Sequence, residues 1–88
     1  AEALQRRSRR LRPLREKVQG LEAEISECES SIEQLDQRLA DPEVHADGQR
    51  VAELAREREQ LARRLEALYP DWEESADELE RAEGEEAK

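Results

Sequence analysis

The amino-acid sequence predicts an all-α fold, an antiparallel two-helix coiled-coil hairpin, on three observations. Apolar residues recur in steps of three and four along most of the chain, which is the spacing of a heptad seam. The seam is interrupted at Ala40-Asp41-Pro42-Glu43 and Asp47-Gly48, breaks close enough together to reverse the chain. Charged residues make up 44% of the 88 positions and hydrophobic ones 35%, with one tryptophan and one tyrosine as the whole aromatic content. That is too little apolar mass for a compact core, so an elongated domain is expected and a sheet-based enzyme is not.

Residues 1–12 read as a basic N-terminal extension or linker, either frayed or a separate turn. The first helix is expected over 13–40. Pro13 suits an opening turn, where its missing N–H is not needed. Leu11, Val18, Ile25, Ile32 and Leu39 take position a, and Leu14, Leu21, Cys28 and Leu35 position d. A helix of that length measures about 40 Å. Pro42 cannot continue it and holds Asp41 in extended geometry, so 41–48 is the hinge. Asp47 is a good N-cap for the second helix, 49–82.

That helix carries Val51, Leu54, Arg58, Leu61, Leu65, Leu68, Trp72, Ser75 and Leu79 on its seam, with Ala55, Ala62, Ala76 and Tyr69 beside it. Pro70 predicts a break or restart near Leu68 to Asp71. Residues 83–88, acidic and without a seam, are expected to be a disordered tail. Centring the reversal near residue 44 pairs Glu24 with Arg64, Lys17 with Asp71 and Arg10 with Glu78, all opposite in sign. It also sets Trp72 opposite Leu14 or Val18, as a core plug. A monomeric hairpin is expected, and residues 13–82 form its body.

Net charge is −9, but the charges are segregated. Residues 1–20 carry seven basic and two acidic side chains, whereas 71–88 carry two and nine. Arg6, Arg7, Arg9, Arg10, Arg12, Arg15 and Lys17 are therefore candidate contacts for nucleic-acid phosphates, held by counterion release. Arg56, Arg63 and Arg64 would extend the stripe toward the hinge. Contact would be to the backbone without base reading. The opposing expectation is a solvated helix end neutralised by the acidic C-terminal arm. A second function class follows from Glu22, Glu27, Glu29, Glu33 and Asp36: a protein-interaction or spacer arm meeting a basic partner, such as a ribosomal protein.

No catalytic, cofactor-binding or metal-binding residue is assigned. One His and one Cys, seventeen apart, make no dyad, and the isolated Gly20, Gly48 and Gly84 build no phosphate loop. No apolar run suits a membrane span, so no membrane contact is expected. The lone cysteine points to a reducing, cytoplasmic setting. The chain opens on Ala1 and holds no methionine, so it reads as a piece of a longer protein.

Leu11-Arg12-Pro13-Leu14-Arg15-Glu16-Lys17, the Leu21–Leu39 seam, the Leu39-Ala40-Asp41-Pro42-Glu43-Val44 hinge and the Leu65-Glu66-Ala67-Leu68-Tyr69 and Trp72-Glu73-Glu74 runs together resemble the C-terminal coiled-coil domain of ABC-F subfamily ATPases. The basic opening leans toward its Uup/YheS-like branch. The resemblance covers roughly residues 9–82. It implies a parent with two ATP-binding cassettes, using ATP and magnesium, that acts on the translating ribosome, with this domain as a non-catalytic arm binding ribosomal RNA or DNA. His45 stands where that family commonly has an aromatic, and Pro70 falls in a stretch usually helical throughout. A leucine-heptad, tRNA-binding hairpin of an aminoacyl-tRNA synthetase, such as the valyl type, is the remaining alternative. Such an arm is generally more basic.

Overall fold

In a computed structural model that describes residues 2–86, three helices follow in order: α1 (Glu2–Leu39), α2 (Pro42–His45) and α3 (Gly48–Glu86). Contacts between α1 and α3 are nested, Asp36 with Arg58, Glu24 with Arg64 and Arg10 with Glu86. Nested pairs require opposite chain directions, so the fold is the all-α antiparallel hairpin. It measures 65 × 20 × 13 Å, the proportions of two helices side by side.

The reversal is built from side-chain caps. Asp41 is extended (φ −72°, ψ 123°), and the Glu43 backbone N–H donates to its Oδ1 at 2.9 Å. Pro42 then opens the single turn α2 at the position where a missing N–H costs least. Asp47 caps α3 by accepting from the Arg50 N–H at 3.2 Å, and its carbonyl accepts from Val51 at 3.0 Å. The expected hinge is thus present, but with a helical turn inside it.

Three boundary expectations need correction. Residues 2–12 are neither a linker nor a separate turn; they continue α1 without interruption through Pro13. Leu11 is fully buried, so the end of this segment has a partner surface on α3 that favours the helix beyond local propensity, while residues 2–6 are exposed. Residues 83–86 are helical rather than disordered. Glu86 sits at a seam position and accepts a 2.5 Å bond from Arg10, which ties down the last turn. Positions 87–88 lie outside the described residues.

The third correction concerns Pro70, which interrupts nothing, because α3 is continuous across it. Pro70 is exposed, so the carbonyl of Glu66 that loses its N–H partner can turn to water. Leu65 and Leu68 before it, with Trp72 and Ser75 after it, are all at least half-buried and hold both flanks on the seam. Pro70→Ala should therefore raise unfolding free energy by about 2 kcal/mol, the interior proline penalty less the unfolded-state entropy regained. Thermal denaturation should report a midpoint higher by about 10 °C. An unchanged or lower midpoint would show that the helix is not carried through this position.

The core is a single stripe. Leu11, Val18 and Leu35 of α1 are buried with Leu54, Leu68 and Ser75 of α3. Ser75, 3% exposed, is small enough to let the helices approach closely. Cys28 is a free, half-buried thiol on the same stripe. Trp72, expected opposite Leu14 or Val18, shares a hollow with Glu22 and Ile25, while Leu14 shares one with Ala82. Antiparallel helices interleave a positions with d positions, so charged flanking pairs are not level with apolar ones. Centring the fold on charges alone misplaces the seam.

Candidate nucleic-acid interface

The basic residues of α1 fall into two rows flanking the seam, because residues three or four apart are neighbours on a helix. Arg9, Arg12 and Arg15 form one row. All three are exposed, and none has an ion pair among the described residues. Arg6, Arg10 and Lys17 lie on the other flank. Arg10 is held by Glu86, whose side chain is only 18% exposed. Arg6 stands 4.0 Å from Glu2, and Lys17 borders a hollow with Asp71 and Glu74. Arg7 sits on the seam line and is half-buried.

Two expected ion pairs differ from observation. Arg10 bonds Glu86 rather than Glu78, since α3 extends a further turn beyond the expected end. Lys17 and Asp71 share a hollow without closing a pair within bonding reach. Glu24–Arg64 is present as expected, at 2.6 Å. This cross-helix bond occupies Arg64, and Glu59 occupies Arg63 at 3.1 Å on the same helix. Arg56 is exposed, with no ion pair among the described residues. The three arginines of α3 therefore do not join the α1 rows. The level of Glu24 and Arg64 lies about 10 Å past Lys17 along the helix, and acidic Asp71, Glu74 and Glu78 stand between.

Arg58, the polar residue on the α3 seam, donates to Asp36 from Nε at 2.5 Å and from Nη2 at 3.2 Å. That forked bond keeps the Asp36 carboxyl below its usual pKa and the Arg58 guanidinium above its own. Near the hinge, the Arg50 guanidinium meets Glu53 at 3.5 Å.

Residues 9–77 match the family described as the ABC transporter C-terminal domain. The chain belongs to that family. The match spans both helices and the reversal, so the ABC C-terminal domain is the hairpin itself, and it replaces the synthetase-arm alternative. Neither a curated protein nor a solved structure matches the chain. No helix among the described residues is long and apolar enough to cross a membrane.

What residue patterning did not separate on this surface is the row that Glu86 anchors at Arg10 from the row Arg9–Arg12–Arg15, which has no ion pair among the described residues. Treating the acidic end as a disordered tail hid the Arg10–Glu86 bond. The signal was present, since Leu79, Ala82 and Glu86 continue the heptad spacing.

Proposed function

We propose that this ABC C-terminal domain is the non-catalytic arm of a cytoplasmic ABC-F ATP-binding protein, and that it gives the parent auxiliary affinity for ribosomal RNA or DNA. The parent's cassettes would hold ATP and magnesium; no residue of this chain takes part in that chemistry. The Leu39–Val44 hinge and the Trp72-Glu73-Glu74 run support the ABC-F branch, and a monomeric hairpin suffices for the role.

One observation carries the nucleic-acid reading: the exposed row Arg9–Arg12–Arg15 has no ion pair among the described residues, whereas Arg6, Arg10, Arg50, Arg58, Arg63 and Arg64 each lie against a carboxylate. Guanidiniums left unpaired along one helix face suit backbone phosphates, which accept forked hydrogen bonds without sequence information. With net charge −9, long-range attraction is weak and affinity rests on this local row. Affinity in the range of about 10⁻⁴–10⁻⁶ M is expected, as for sequence-independent contact.

A titration of fluorescent RNA duplex and branched DNA at ~50 and ~200 mM salt tests the proposal. Three to four phosphate contacts predict a loss of about 40- to 150-fold between the two conditions. Absence of binding at the lower salt removes the proposal, and binding that ignores salt removes its phosphate basis.

A further inference from the structure

On the flank opposite the Glu24–Arg64 bond, two hollows run into one another, sharing Glu29 and Tyr69. Together they form a groove between α1 and α3. Ile25, Ile32, Ala62 and Leu65 line its floor, and Tyr69 and Trp72 form one wall. Tyr69 is 44% exposed, one of two exposed large apolar side chains among the described residues. The Trp72 indole N–H is buried without an acceptor. Measured from Glu22 to Asp36, the groove is about 21 Å long, the length of four helical turns.

Its rim is acidic. Glu22, Glu29, Glu33 and Glu66 border it and form no ion pair among the described residues, whereas Asp36 is matched by Arg58. Glu29 and Glu33 are one turn apart on the same helix, where like charges repel. No ion pair among the described residues offsets this repulsion; only the Tyr69 phenol meets the Glu29 carboxylate. Partial burial and the Glu29 carboxylate push the Tyr69 phenol above its ordinary pKa, so the ring remains neutral.

We propose that this groove docks an amphipathic, arginine-rich α-helix of a partner polypeptide. A helix laid between two helices buries one apolar stripe in the floor. Arginines on either side of that stripe then reach the free carboxylates and stack on Tyr69 and Trp72. Nucleic acid is the wrong occupant, because four unpaired carboxylates repel phosphate. A second copy is disfavoured as well: the chain's own arginine-rich segment already spends its apolar side, Leu11 and Leu14, inside the hairpin. Glu27, which a count of acidic residues places with the others, is absent from the groove lining and has no part in it. This docking is independent of the nucleic-acid reading, since the surfaces and the charges differ.

Trp72 is the single tryptophan, so its fluorescence reports the groove directly. The probe is a synthetic peptide of about sixteen residues, free of Trp and Tyr, with leucines on one helical stripe and arginines flanking it. At ~50 mM salt a saturable fluorescence change with one peptide per chain is expected. The triple variant Glu22→Gln, Glu29→Gln, Glu33→Gln should weaken it at least about tenfold, while Glu27→Gln, Glu57→Gln, Glu73→Gln, with the same charge change elsewhere, should alter it less than about twofold. Circular dichroism establishes that both triples are folded. A peptide of identical composition without the apolar stripe should bind at least about tenfold more weakly. Equal weakening by the two triples, equal binding of the two peptides, or no saturable change would each overturn the proposal. So would self-association of the protein alone that the groove triple abolishes, because the occupant would then be a second copy.

Discussion

Leu68→Ala lowers the unfolding free energy by about 2–4 kcal/mol, the range for truncating a fully buried leucine. Leu68 is 1% exposed and lies two residues before Pro70, where α3 has one backbone bond fewer and depends most on packing. A hairpin has a single apolar stripe, so the neighbours cannot collapse onto the gap from a second layer. The melting midpoint should fall by about 10–20 °C for a chain of this size. Leu4→Ala provides the comparison. Leu4 has the same residue type and the same seam phase as Leu11, seven residues on, yet it is 69% exposed. Its truncation should change stability by less than about 0.5 kcal/mol. Thermal circular dichroism on the two variants separates the outcomes, and equal effects would mean that the α1–α3 seam is not where the structure places it.

Reversing the open basic row, Arg9→Glu, Arg12→Glu and Arg15→Glu together, should weaken RNA or DNA binding at least about 100-fold at ~50 mM salt. Three contacts are lost and three repulsions gained. None of these side chains is buried or ion-paired among the described residues, so the fold should be unaffected, and circular dichroism checks this. Arg56→Glu with Arg63→Glu introduces comparable charge on α3, where Arg63 already bonds Glu59; less than about threefold weakening is expected. If both sets weaken binding alike, overall charge rather than the α1 row sets affinity.

The heptad period, the proline and glycine breaks, and Asp41 and Asp47 as caps could all be read directly, because each depends on residues within a turn of one another. Glu24–Arg64 was legible for a related reason: opposite charges at fixed spacing admit few partners. Helix ends and register were harder to read. Pro70 and Pro13 carry strong local penalties, and a local argument stops the helix at both. Seam packing on either side outweighs them.

The candidate surfaces divide along the same line. That residues 6–17 are basic and 22–36 acidic is a property of the chain. Which arginines remain open is not, for it depends on Glu86 reaching Arg10 from the far end of α3. Likewise Tyr69 is far from Glu22 and Glu29 until the reversal brings it to their groove, and Glu27, between those two glutamates in the chain, is left outside.

What the sequence determined alone is therefore a pair of amphipathic helices, their reversal and their charge segregation, since periodicity and capping act over a few residues. Only the tertiary structure decided where the seam is centred, which helix ends persist, and which charges are matched. Those properties belong to pairs of residues dozens of positions apart, whose apposition follows from how the two stripes interleave.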